Sequence, residues 1–349
     1  MPYGQVLVDT VKDSLNNVLA PASAVFKNRL INGAMVIDQR NAGASVTASV
    51  TGANTYTLDR FAYGASVASK FTIQQNAGSV TPPTGFTNYL GITSSSAYSS
   101  SASDYFYIEQ DIEGFNFADL GFGTANAKTV TLSFQVYSSL TGTFGGSIKN
   151  SAVSRSYPFS FTVSSANTWT PISITIAGDT TGTWIGATNG IGARVIFNLG
   201  SGSSNLGTAG VWASANYNGS TGATSVVGTS GATFYITGVQ LEVGTNATSF
   251  DYRPYGTELA LCQRYYSYFA IATDIPSGSY SAQGVTYSVT MRTTPTIATY
   301  GTVTQSNVSS INFNANSTTL SSGQCIQWNS ASSASRMYYF SQYSASAEL

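Results

Sequence analysis

Apolar and polar residues alternate along much of this chain with the period of two that marks a half-buried strand. Leu132, Phe134 and Val136 are separated by single polar residues, and Val195, Phe197 and Leu199 interleave with Arg194, Ile196 and Asn198. Successive side chains of a strand point to opposite faces, so one set of each pair goes inward. Segments of this kind, broken by Gly, Ser, Thr and Asn turns, predict strands at 56–62, 70–75, 105–109, 129–138, 146–150, 157–163, 170–176, 192–199, 210–215 and 233–243. Short strands spaced roughly 10–20 residues apart, with no helical period between them, predict an all-β sandwich. The Ser- and Gly-rich stretches 94–103 and 200–208 read as mobile surface connections.

The pattern breaks at 238–266, GVQLEVGTNATSFDYRPYGTELALCQRYY. Gly244, Asn246, Pro254 and Gly256 supply turns. Thr257 can cap a helix, and the residues after it are helix formers. Beyond Tyr268 the β pattern resumes, with strands predicted at 284–291, 296–300, 310–313, 324–328 and 336–343. The expected organisation is an arm over 1–30, a β-sandwich body over 31–256, a helical linker over 257–274 and a small C-terminal β-sandwich domain over 275–349. A last domain of about 75 residues has a marginal core on its own, and association with copies of itself would relieve that.

Charged residues make up 8% of the chain, against about 25% in an average globular protein. Apolar residues reach 42% and aromatics 13%, enough for a packed core under a hydroxyl-rich surface. Such a surface suits a subunit that buries its flanks in an assembly. With a net charge of −1 and no basic stripe, nucleic-acid binding is not expected. No apolar run approaches the roughly 20 residues of a membrane span, so no membrane insertion is expected. Met1-Pro2-Tyr3-Gly4-Gln5 has neither the charged nor the apolar region of a signal peptide, which predicts synthesis and retention in a cytosol. Cys262 and Cys325 cannot make a disulfide framework, and reduced, buried thiols are expected.

The chain contains no histidine. Ser-His-Asp and Cys-His nucleophilic catalysis both need an imidazole, and zinc catalysis commonly does. No Gly-rich strand-to-helix turn stands ready for a nucleotide, so no cofactor is expected. Carboxylates remain. Glu109, Asp111 and Glu113 would share one strand face at about 6.5–7 Å per step, within the range of a glycosidase pair. A row of alternating acids more commonly ends a strand facing solvent, here before Gly114, and no enzyme activity is expected.

NRLINGAMVIDQRNAG near the start, GVQLEVG and FDYRPYGTELALCQRYY at the break, and MRTTPTI and YSASAEL near the C-terminus resemble phage tail-fibre and virion-appendage proteins with a lectin-like jelly roll. The resemblance implies a jelly-roll body, a homotrimer, an N-terminal arm gripping other virion proteins, and location in the virion. Jelly-roll carbohydrate-binding modules of this kind carry an acid soon after an Asn-Gly pair and another after an aromatic-aliphatic pair. Here Asn32-Gly33 is followed by Ala34-Met35-Val36, and Tyr235-Ile236 by Thr237, so the ligands of a structural calcium are missing from those places. Asp38, Asp59 and Glu242 are left as an alternative metal set.

Sugar recognition uses aromatic platforms beside amides and hydroxyls. The candidates are Trp212 with Asn216 and Tyr217, where a predicted strand enters a Gly/Asn loop, then Trp184, then Tyr105 and Tyr107 on the face of Glu109. The function expected is host attachment through a cell-surface polysaccharide. The alternatives are a purely structural capsid-decoration, head-fibre or tail-adaptor role, and a polysaccharide depolymerase.

Overall fold

The computed structural model describes residues 11–12, 18–19, 26–51, 55–276, 280–283, 286–306, 308–314, 325–330 and 336–349. Most of the expected arm over 1–30 lies outside them, apart from a two-residue pairing of β1 (Val11–Lys12) with β2 (Val18–Leu19) and the residues from Phe26 onward. The body contains β3 (Val46–Thr47), β4 (Thr55–Leu58), β5 (Phe61–Ala65), β6 (Phe71–Gln75), β7 (Leu90–Ser94), β8 (Phe106–Glu113), β9 (Val130–Ser138), β10 (Gly142–Lys149) and β11 (Ser156–Val163). It continues through β12 (Thr170–Ile176), β13 (Ile191–Asn198), the short parallel pair β14 (Leu206–Gly207) and β15 (Gly219–Ser220), and β16 (Thr233–Val243). Two six-stranded antiparallel sheets form a jelly-roll sandwich. The front sheet is ordered β11-β10-β13-β8-β5-β4 and the back sheet β12-β9-β16-β7-β6-β3.

The alternation read from the sequence builds the core. Leu132, Phe134 and Val136 of β9 face Val195 and Phe197 of β13, and all are buried. Phe134 packs edge-on against Phe161 at 5.1 Å and Phe197 at 5.0 Å, geometry worth about 0.5–1.5 kcal/mol per pair beyond area burial. In β16 the register against β9 shifts between Thr237 and Gln240. This bulge turns Val239 and Leu241 back into the core after Ile236. Gly238 makes it possible with a φ of +63°.

Some expectations need correction. The segment 56–62 is two strands, β4 and β5, joined by a tight turn at Asp59-Arg60, where Arg60 takes a φ of 70°. Leu58 and Phe61 both enter the core from either side of that turn. The segment 210–215 forms only an isolated bridge between Ala213 and Ser156. The Ser/Gly stretches 94–103 and 200–208 are tied to one another. Ser100 donates to the Gly200 carbonyl, the Gly202 amide to the Asp104 carbonyl, and the Ser204 amide to the Ala102 carbonyl.

The break contains α1 (Tyr255–Gln263), after which the chain forms β17 (Tyr266–Pro276), β18 (Tyr280–Gln283), β19 (Thr296–Ser306), β20 (Val308–Asn314), β21 (Cys325–Ser330) and β22 (Arg336–Ser346). These make two three-stranded sheets, β17-β22-β19 and β18-β21-β20, a separate small β domain. The helical linker expected over 257–274 is thus helix only to Gln263, because the aromatic and β-branched run from Tyr266 favours a strand and β22 pairs with it. Thr257 does not cap the helix. Its amide donates to the carbonyl of Pro254, the residue that precedes α1. The strand expected over 284–291 is absent from the described residues; Gly284 lies outside them, and Tyr287 and Met291 are buried in irregular chain. Cys262 is a free, buried thiol, and the side chain of Cys325 lies outside the described residues.

The segments that carry the family resemblance meet at one joint. Asn28 donates to the Val239 carbonyl and accepts from the amides of Leu30 and Leu241. Asn32 donates to the carbonyls of Ile37 and Asp59, and its amide bonds to Glu258 of α1. Gly33 lies so close to Val239 that a Cβ would come within 2.1 Å of its carbonyl oxygen. Arg253 caps the carbonyls of Asn28 and Leu30. Arg264 and the Tyr265 hydroxyl both bind Glu113 of β8. Glu348, near the C-terminus, is shared by Arg40 and the fully buried Arg60, while Arg292 donates to the Ala347 and Glu348 carbonyls. Arg40 stacks on Tyr266 and Arg60 on Tyr265, each with its guanidinium 3.7 Å from the ring centroid.

Candidate functional site

The outward residues of the front sheet follow from its register. Glu109 opposes Ile196, Asp111 opposes Arg194, and Tyr107 opposes Asn198 and Gly64. At the Asp111–Glu113 end this face is covered. Arg60 donates to the Asp111 carbonyl at 2.6 Å, Glu113 is held by Arg264 and Tyr265, and the Tyr56 hydroxyl donates to the Leu349 carbonyl at 3.0 Å.

At the Tyr107 end the face is open. It forms a cleft of about 210 Å³ lined by Tyr105, Tyr107, Asn205, Asn216 and Asn218, with Asn205 donating to the carbonyls of Ser103 and Asp104 just before Tyr105. Glu109, Lys149, Arg194 and Ile196 lie along it. The two tyrosine rings sit 5.9 Å apart, tilted by 32°. Tyr105 is anchored by its hydroxyl on the Thr51 carbonyl at 2.8 Å. Tyr107 lies flat on Gly64, where a Cβ would meet the ring at 2.3 Å.

Charge in the cleft is fixed by internal pairing. Arg194 reaches Asp111 at 3.2 Å and Glu109 at 3.5 Å. Burial alone would favour a neutral Arg194, but the two carboxylates outweigh it and raise its pKa. Lys149 is only 3% exposed, and its ammonium donates to the side-chain oxygens of Asn216 and Asn218. Burial pushes its pKa down to about 7, with Glu109 opposing the shift. Burial, then the nearby Glu109 carboxylate, raises the Tyr107 phenol above its ordinary range. The cleft thus presents two aromatic faces, three amides and partly desolvated charged groups, a set that can stack on a sugar ring and hydrogen-bond its hydroxyls.

Of the six candidates, the structure brings Tyr105, Tyr107 and Asn216 together. Trp212, Trp184 and Tyr217 line no part of this cleft. Trp212 packs edge-on against Phe122 and Trp184 and donates its indole N–H to the Ala177 carbonyl at 2.8 Å. Trp184 stacks on Phe117 and donates to Asp179. The Tyr217 ring covers Gly207. A strand-to-loop tryptophan reads the same whether it packs on the core or meets a ligand; these two are half-buried and pack on the core. Lys149, Arg194, Asn205 and Asn218 were not singled out. The interleaving of Arg194 with core residues placed it on the outer face, and Lys149 ends a strand otherwise built of small and apolar residues.

Asp38, Asp59 and Glu242 are engaged separately. Asp38 accepts from the amides of Asn41 and Gly43, Asp59 from the amide and side chain of Gln39, and Glu242 from Gln240 and Thr248. No cluster of three or more metal-binding side chains occurs among the described residues. No described helix is long and apolar enough to cross a membrane.

No family model and no curated protein matches this chain. Solved structures do. A CBM4 structure aligns at 15% identity over 61% of this chain and 98% of its own, with a TM-score of 0.30. TmCBM61 in complex with β-1,4-galactotriose aligns at 7% identity over 63% and 99%, with a TM-score of 0.29. The CBM22-1 xylan-binding domain from Paenibacillus barcinonensis Xyn10C aligns at 9% identity over 59% and 99%, with a TM-score of 0.28. These likenesses are weak in both identity and superposition.

Proposed function

We propose that this protein binds a glycan in the front-sheet cleft, without catalysis, and that it does so as a phage appendage attaching to a host-cell polysaccharide. The observation that carries the binding is the convergence of Tyr105, Tyr107, Asn205, Asn216 and Asn218 on one open cleft. The ion pairs of Arg194 and Arg264 with the Glu109, Asp111 and Glu113 row favour binding over hydrolysis, since a carboxylate held by arginine is a poor general acid. The attachment role and the virion location rest on the sequence resemblance. Assembly as a homotrimer would multiply weak single-site affinity by avidity.

Retention on immobilised host-surface polysaccharide, and its weakening in Tyr107→Ala, test the binding. Competition by the purified protein against phage adsorption tests the attachment, and incubation with host polysaccharide should release no reducing ends. A protein that binds neither host cells nor their polysaccharide defeats the proposal.

A further inference from the structure

The back sheet carries a groove of its own, of about 340 Å³. One wall is aromatic. Phe86, Phe250 and Tyr252 pack on one another with centroids 5.1, 4.9 and 5.5 Å apart. Tyr252 is 57% exposed, and its hydroxyl is tied to the Gly85 carbonyl at 2.7 Å, which holds a ring face toward solvent. Phe86 sits on the β16 bulge, where a Cβ on Gly238 would come within 2.5 Å of the ring. The bulge that restores the core register therefore also seats this wall.

The floor comes from β9 and the edge strand β12. Ser133 opposes Ser173 and Gln135 opposes Pro171, so all four share the outer face. Ser133 and Gln135 are half-buried, and Pro171 and Ser173 are exposed. None of the residues lining the groove is charged. That distinguishes it from the cleft, where Lys149, Arg194 and Glu109 meet the ligand space. The nearest charges, Lys27 and Glu242 bonded to Thr248, are paired with each other, so an ionic partner would surrender its hydration here for little in return. A neutral ring with an apolar face and hydroxyl edges loses little, because aromatic faces and amide and hydroxyl groups are what the groove offers.

We propose that this groove is a second binding site, for a neutral pyranose-based glycan, on the opposite side of the sandwich from the cleft. It does not depend on the reading of the cleft. Two sites facing apart let one molecule hold two polysaccharide strands.

The test uses the full chain on arrayed neutral gluco-, xylo- and galacto-oligosaccharides, with calorimetric titration of the strongest. Tyr107→Ala is expected to keep binding at least one of them. Tyr252→Ala should weaken that binding by about tenfold or more, the scale of a lost ring contact. Gln135→Ala, on the floor, should weaken it in the same direction without touching the aromatic wall. Unchanged melting temperatures would keep folding out of the comparison. Loss of all neutral-glycan binding in Tyr107→Ala, or an affinity within about twofold of wild type in both groove variants, overturns the second site and leaves the cleft reading intact. The reverse pattern sinks the cleft reading and leaves this one standing. A concentration-dependent dimer abolished by Tyr252→Ala would assign the groove to a second copy of the chain and overturn the proposal.

Discussion

Lys149 offers a test of the cleft that needs no ligand. Its ammonium is buried between two carboxamides, and its pKa falls from 10.5 to about 7. Between those values the unfolded chain carries a proton that the folded chain does not. Stability therefore rises with pH through the window, while below about pH 7 the folded state bears the full cost of a buried charge. At about 1.4 kcal/mol per pH unit, the displacement corresponds to about 5 kcal/mol across the whole window. Lys149→Met removes the titration. It also leaves the buried Asn218 without this donor, which lowers stability by a pH-independent amount. Urea unfolding of both proteins at intervals from pH 6 to pH 10 gives the difference. The wild type should gain on the variant by up to about 1.4 kcal/mol per pH unit between about pH 7.5 and 9.5, with a flat difference near pH 6. Tyrosines common to both proteins cancel. Parallel curves across the range would refute the burial argument and, with it, the desolvated floor of the cleft.

Other outcomes follow from the same geometry. Arg60→Met leaves Glu348 with Arg40 alone inside the joint and should cost about 3–5 kcal/mol in chemical denaturation; a cost below about 1 would mean the pair contributes little. Gly64→Ala places a Cβ against the Tyr107 ring, so the ring must shift: glycan retention should weaken as in Tyr107→Ala, with a loss of about 1–3 kcal/mol in chemical denaturation; full retention in a folded variant would show that the ring's seat is irrelevant. Burial pushes the Cys262 thiol pKa well up, so native protein treated with iodoacetamide should give an unmodified Cys262 peptide by mass spectrometry, and labelling should appear only with denaturant.

The sandwich is legible because its strands obey a period of two, which puts Tyr107 with Glu109 on one strand face and Arg194 on the outward face of another; the register of β8 with β13 joins the two. The turn at Asp59-Arg60 was not legible. Charged residues normally end a strand at the surface, whereas here Arg60 is buried by a glutamate 288 positions away. The same distance in sequence hid the cleft. Asn205 ends a single 3-10 turn and Asn216 and Asn218 come from a loop, and only the fold brings them to the cleft of Tyr105 and Tyr107. An aromatic at a loop entrance looks alike in a platform and in a plug, and the half-buried Trp184 and Trp212 lie outside the cleft, packed on one another and on Phe117 and Phe122. The family-like motifs were conspicuous for another reason: they hold the joint, where Asn28, Asn32 and Arg253 satisfy backbone groups that no strand reaches.

That joint has a mechanical consequence. The chain leaves the sandwich through α1, and residues 347–349 return to it, with Glu348 gripped by Arg40 and Arg60 and the Leu349 carbonyl by Tyr56. Two anchorages brace a lever that one would leave swinging. A pull on the small domain would run through Glu348 and Arg60 into the Asp111 carbonyl, on the strand that also carries Tyr107 and Glu109.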